Sequence, residues 1–172
     1  MVYAGWINKS IVADLQALSC NSLGLTGPDG GIVVSKKRAA QPIDYGFVGD
    51  IIHVNEPSLS GLIAAGFSPV FAPITADASG QLLNTNADTM AQALAIALSP
   101  AYDVTLTYCF EKKGVLLDPA DDDSVISSIN PASFQDLKEK GIVSAGMIPK
   151  LENALKAISC LLYTSPSPRD CS

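Results

Sequence analysis

Short apolar runs in this chain repeatedly give way to stretches with helical spacing, and that alternation limits the fold more than any other feature. Residues 8–18 place Ile11, Val12, Leu15 and Leu18 on one face of a helix that Asn8 can cap. Residues 22–26 and 31–35 are apolar runs split by Gly27-Pro-Asp-Gly-Gly31, which predicts strand, turn, strand. Residues 47–54 predict another strand, 57–65 a short helix stopped by Gly66, and 68–74 a buried strand. A helical pattern over 90–98 precedes a β-branched and aromatic run at 103–110, which predicts a strand. Residues 131–140, ended by Gly141, and 147–158, with Leu151, Ala154, Leu155 and Ile158 on one face, predict two more helices. Strands alternating with helices imply an α/β fold, with a largely parallel sheet covered on both sides.

With 172 residues, 48% hydrophobic and 16% charged, the chain has the material for one sizeable core and lacks the composition of a disordered segment. Its net charge of −6 argues against a general nucleic-acid or membrane-surface role, since both need basic patches. Only Lys36-Lys37-Arg38 is locally basic, and it reads as a solvated loop. No apolar run reaches membrane-spanning length and no signal peptide opens the chain, so the expected location is cytoplasmic. The cysteines Cys20, Cys109, Cys160 and Cys171 form no C-x-x-C pair, and His53 is the one histidine that could join them at a metal. Cys20 and Cys109 read as small buried thiols.

Three places could carry chemistry. Leu82-Leu-Asn-Thr-Asn-Ala-Asp-Thr89 sets two amides and a carboxylate at a helix start, where outward N–H groups favour anions. On the residues alone, Asn86 serves equally well as a cap and Asp88 as a first-turn acid. The second place is Gly141-Ile-Val-Ser-Ala-Gly-Met-Ile-Pro-Lys150: Pro149 suits a first turn, but Lys150 puts a cation beside the positive end of the helix dipole. A bound anion such as phosphate would relieve that cost, and so would a side chain reaching into water. No G-x-x-x-x-G-K-[ST] is present, so a phosphate site here is not a P-loop. Glu111-Lys-Lys-Gly114 is the third, by composition an ordinary turn as readily as a nucleotide contact. The aspartates of 118–123 lack the glycine and terminal glutamate of a calcium loop and read as solvated. His53 is assigned no role.

Taken in order, Gly24-Leu-Thr-Gly-Pro-Asp-Gly30, Phe47-Val-Gly-Asp50, Asn84-Thr-Asn-Ala-Asp88 and Gly146-Met-Ile-Pro-Lys-Leu-Glu-Asn-Ala-Leu155 closely resemble the N-acetylglutamate kinases of the amino acid kinase family. The resemblance runs over nearly all of residues 1–159. It implies a three-layer αβα sandwich with a mainly parallel open sheet, here incomplete. It also implies transfer of the ATP γ-phosphoryl group to the side-chain carboxylate of N-acetyl-L-glutamate in arginine biosynthesis, with Mg²⁺ bound alongside the nucleotide and a homo-oligomeric parent. By the same resemblance Asn84 and Asn86 would bind the acylated amino acid. Asp88 would orient the catalytic lysines, and Lys150 would stabilise charge on the transferring phosphoryl. Glu111, Lys112, Lys113, Gly114, Val115 and Leu116, with Ile142, Val143 and Ser144, would frame the nucleotide. Gly114 would let the backbone approach it closely.

The family carries aspartate where Glu111 stands. It also begins with a strand bearing a first catalytic lysine, a glycine-rich loop and an arginine, none of which precedes Met1 here. The chain therefore reads as starting in mid-domain, an inactive fragment of the kinase. Residues 160–170 resemble the translation of a sequencing-library transposon adapter, so 160–172 are expected to be a foreign tail on a 1–159 kinase-domain fragment. Two rival readings are a kinase for N-succinyl-L-glutamate and a non-catalytic binding module on the same fold.

Overall fold

A computed structural model describes residues 2–109, 113–118, 120–143 and 147–162. They fall into two compact units, one ending at Leu98 and one beginning at Ser99.

In the first unit the chain is already helical upstream of Asn8. A π-helical turn, Tyr3–Ile7, runs into α1 (Asn8–Ala17). Asn8 therefore is not a cap, because no helix end lies there. Its side chain is buried and its Nδ2 donates to the Val70 carbonyl at 2.8 Å, tying the helix to a strand. β1 (Ser22–Leu25) pairs in parallel with β4 (Ser68–Phe71), in register from Ser22 opposite Ser68 to Leu25 opposite Phe71. A second sheet has the order β3 (Gly49–Val54), β2 (Val33–Lys37), β5 (Ile74–Ala76), β6 (Leu82–Asn84). Within it β2 and β5 are parallel, while β2 with β3 and β5 with β6 are antiparallel. The expected strand over 68–74 thus divides in two. Pro73 between the halves has no N–H to give a ladder, and each half joins a different sheet.

The core of this unit is Leu25, Ile32, Val33, Leu59 and Met90, with Leu23, Ile51, Val54, Leu94 and Leu98 packed around it. Met90, Leu94 and Leu98 recur every fourth residue of α3 (Ala87–Leu98), so one stripe of that helix enters the core. At about 1.5–3 kcal/mol for each large apolar side chain buried, this stripe is what holds α3 in place. α2 (Glu56–Ala64) is capped by Asn55, whose Oδ1 accepts from the Ser58 N–H, and Gly66 follows its end as the sequence predicts.

In the second unit α4 (Pro131–Glu139) opens with a reciprocal capping box between Asn130 and Ser133 and is stopped by Gly141. α5 (Ile148–Leu162) follows, running further than the expected 147–158. Phe134, Leu137, Val143 and Ala157 are buried. The expected strand at 103–110 does not form over 103–109, which join no ladder; residue 110 lies outside the described residues. Its period survives, with Val104, Leu106 and Tyr108 half-buried and the residues between them exposed. Cys109 falls on the exposed side of that alternation and Cys20 is half-buried, so neither is the buried thiol expected. No helix among the described residues is long and apolar enough to cross a membrane.

Candidate functional site

The amide and carboxylate cluster of the first unit sits where a strand hands over to a helix. Leu83 and Thr85 are almost fully buried, at 1% and 4% exposure, and the residues between and beside them are exposed. This period of two turns Asn84 and Asn86 outward together. Asn84 ends β6 opposite Ile74 of β5. Its N–H also donates to the Phe47 carbonyl at 2.8 Å, and it forms a parallel bridge to Val48, the residue before β3. The last strand of the four-stranded sheet therefore returns to the start of the first, and the sheet curls shut at this point.

The inside of the curl is what fixes the cluster. Thr85 Oγ1 and Thr75 Oγ1 share a buried hydrogen bond of 2.8 Å, and the Thr85 N–H donates to the Pro73 carbonyl at 3.0 Å. Gly49 lies against the same pair: a Cβ there would meet Leu83 Cβ at 2.9 Å and the two threonine hydroxyls at 3.0 Å each. Only a residue without a side chain lets β3 approach so closely.

Asn86 caps α3: its Oδ1 accepts from the Thr89 N–H at 2.9 Å and the Thr89 hydroxyl at 3.2 Å. Its carbonyl oxygen is thus already committed, while Asn84 faces out from the strand. Asp88, half-buried, stands in the first turn of α3, where the dipole favours a carboxylate. Gln92, one turn further on, is 4% exposed with its Nε2 unpartnered.

Beside the cluster's backbone, residues 38–48 form a solvated arm between β2 and β3. Arg38 holds Asp50 through both carboxylate oxygens, the shortest contact being 2.6 Å, and its guanidinium lies 5.7 Å from the Tyr45 ring centre. The hydrogen bond from Arg38 holds the Asp50 carboxyl below its ordinary value, and Asp50 holds the guanidinium above its own.

In the second unit Lys113, Gly114, Val115 and Leu116 belong to a hairpin-like turn. Leu116 bridges Val125, Ile126 N–H donates to the Val115 carbonyl, and Leu117 N–H donates to the Ser124 carbonyl. Lys113 pairs with Asp123 at 2.6 Å, both well exposed. Gly114 has a local reason of its own, since a Cβ there would stand 2.8 Å from Val125 Cγ1. Ile142 N–H donates to the Leu137 carbonyl after α4, and Val143 is buried behind it. Glu111, Lys112 and Ser144 lie outside the described residues. Lys150 occupies the first turn of α5, half-buried, with its Nζ 5.9 Å from the centre of the Tyr108 ring. Sequence reasoning singled out neither Tyr108 nor the Gly49, Thr75 and Thr85 interior. The signals were a period-two alternation for the first and a threonine between two asparagines for the second.

The profile of the amino acid kinase family matches residues 1–159. The chain is 56% identical over 159 residues to the acetylglutamate kinase of Bacteroides fragilis, covering 92% of this chain and 61% of that protein. It is 54% identical to the acetylglutamate kinase of Cytophaga hutchinsonii, again covering 92% and 61%, and 43% identical to that of Methanopyrus kandleri, covering 92% and 65%. The chain thus spans about three-fifths of the length of these curated relatives. Among solved structures, smu.665 of Streptococcus mutans UA159 superposes with a TM-score of 0.79 at 27% identity, covering 92% of this chain and 61% of that one. The N-acetylglutamate synthase of Neisseria gonorrhoeae, solved with coenzyme A and N-acetyl-glutamate, superposes with a TM-score of 0.76. At 18% identity, over 92% of this chain and 34% of the synthase, it shares the fold.

Proposed function

The chain belongs to the amino acid kinase family, and from that premise we propose that the protein it forms part of transfers the γ-phosphoryl group of ATP to the side-chain carboxylate of N-acetyl-L-glutamate, a step of arginine biosynthesis. The observation that carries this reading is the 56% identity with an acetylglutamate kinase over 159 residues, a stretch that includes every residue assigned a role below.

In this reaction a carboxylate oxygen attacks the γ-phosphorus, the new O–P bond forms as the bond to the β-phosphate oxygen breaks, and ADP leaves. The protein contributes positioning and electrostatics rather than covalent chemistry. Asn84 presents its amide to the acylated amino acid from a backbone position fixed on both sides, by β5 and by Phe47. Asn86 stands beside it and keeps α3 capped. Asp88 orients the catalytic lysines. Lys150 places its ammonium where negative charge spreads over the transferring phosphoryl. Lys113, Gly114, Val115, Leu116, Ile142 and Val143, with Glu111, Lys112 and Ser144, frame the nucleotide.

Among the described residues no group of three or more His, Cys, Asp or Glu is placed to hold a metal ion. Mg²⁺ in this reading is held mainly by the phosphate oxygens of ATP and by water, with one or two carboxylates from the protein. The ion would supply neutralisation of phosphate charge. Residues 160–172 belong, in this reading, to the adapter and not to the enzyme. The parent assembles as a homo-oligomer.

The test is a coupled ADP-release assay on the reading frame extended upstream and downstream from the source DNA, with N-acetyl-L-glutamate, N-succinyl-L-glutamate, glutamate and aspartate compared side by side. Turnover with N-acetyl-L-glutamate well above the other three supports the assignment. Equal rates on all four, or none, overturn it, and preference for the succinyl compound moves the substrate.

A further inference from the structure

Asn84 and Asn86 are exposed, and the one residue between them faces inward. The depth at which Thr85 sits therefore sets where both amides stand. Thr85 is 4% exposed and meets the fully buried Thr75 through a hydroxyl–hydroxyl hydrogen bond of 2.8 Å. The main chain is pinned at the same residue, because the Thr85 N–H donates to the Pro73 carbonyl at 3.0 Å. Gly49 closes over the pair, and a Cβ on it would stand 3.0 Å from each hydroxyl.

Stability gives no reason to bury two hydroxyls here, since replacing both members of a buried hydrogen-bonded pair by apolar groups of the same shape is close to neutral. Spacing gives one. Two oxygens that share a proton approach to about 2.7–2.8 Å, whereas two methyl carbons stop at about 3.5–4.0 Å. A Thr–Thr pair thus lets residue 85 sit about 1 Å deeper toward β5 than a Val–Val pair of the same shape.

We propose that the Thr75–Thr85 hydroxyl pair sets the depth of residue 85 and so holds Asn84 and Asn86 where they grip the acyl amino acid. The two threonines are positioning residues, acting through the asparagines. The proposal rests on the reading of Asn84 and Asn86 as the contacts of the acyl amino acid.

Two measurements test it. In the extended protein, Thr75→Val and Thr85→Val each leave one buried hydroxyl unpaired, the double variant leaves none, and Thr85→Ser keeps the bond. The double variant is expected to raise KM for N-acetyl-L-glutamate by about five- to tenfold, with KM for ATP within twofold. Thr85→Ser stays within twofold on both. Urea midpoints separate this from a purely structural role: each single Val variant unfolds at lower urea, and the double variant recovers while its KM stays high. A KM that recovers together with the midpoint, a double variant within twofold in KM, or a Ser variant as impaired as the double one overturns the proposal. Should a single Val variant fail to fold, the double and Ser variants decide. The second measurement compares crystal structures of the 172-residue chain and of its double Val variant. The Cα at position 85 is expected to move away from β5 by about 1 Å, and an unmoved backbone overturns the proposal. If the backbone moves as expected but the extended protein phosphorylates no acylated amino acid, the spacing stands and it is the kinase reading that fails.

Discussion

The starts of α3 and α5 are electrostatic opposites. α3 opens with an amide cap and an acid in its first turn, the combination its dipole prefers. α5 opens with Lys150, the charge its dipole disfavours, over an aromatic ring. A matched helix start is explained by its own stability, so Asn86 and Asp88 can be read as ordinary capping. A mismatched one needs a reason from outside the helix, and this is why Lys150 carries more functional information than its neighbours.

The largest effect that separates the two starts is expected at Lys150. Lys150→Ala in the extended protein lowers kcat by about 10³-fold if the ammonium stabilises transferring charge. ADP release measures it, and an unchanged rate removes Lys150 from the catalytic machinery. Next comes the curl behind α3. Gly49→Ala forces a methyl into contacts at 2.9–3.0 Å with Leu83, Thr75 and Thr85, and about 1–3 kcal/mol of stability is lost. Urea denaturation of the chain measures this, and a midpoint equal to that of the unsubstituted chain shows that β3 can move aside. Asn86→Ala removes a cap and costs about 1 kcal/mol. If its effect in the extended protein is confined to stability, Asn86 belongs to the helix alone, whereas a raised KM for the acyl amino acid gives it the second role.

The smallest effect is a pH dependence in the arm. Because Arg38 lowers the Asp50 carboxyl, the pair's contribution is fully present above the unfolded carboxyl value of about 3.9 and is lost as pH falls through the lower folded value. Both side chains are more than a third exposed, at 45% and 38%, so water screens the pair, and it is worth about 0.2–1 kcal/mol. The difference in urea midpoint between the unsubstituted chain and Asp50→Asn should therefore be small at pH 7 and vanish by acid titration. A difference that grows toward low pH reverses the sign and breaks the argument.

Helices and their stops were legible in the sequence because they depend on local spacing. Gly66 and Gly141 follow α2 and α4, and Asn86 caps α3. What the sequence hid depends on distant partners. Asn8 looked like a cap, but its amide is spent on Val70, 62 residues away. Residues 103–109 have a strand's alternation, but a strand is defined by a neighbour and they join no ladder. Pro73 separates two strands by the N–H it lacks, a mark visible in the sequence that a continuous apolar run obscured. For the site, Asn84, Asp88 and Lys150 stood out by type and position, while the spacing that marks Thr85 as inward-facing does not name Thr75 and Gly49 as the distant partners it meets.

The bridge between Val48 and Asn84 has a further consequence. A four-stranded sheet has two borders, and each border offers hydrogen-bonding groups to any passing strand. Here the two borders meet at one end and spend those groups on each other. At the residue the proposed substrate would touch, the protein has left no template on which a foreign strand could grow.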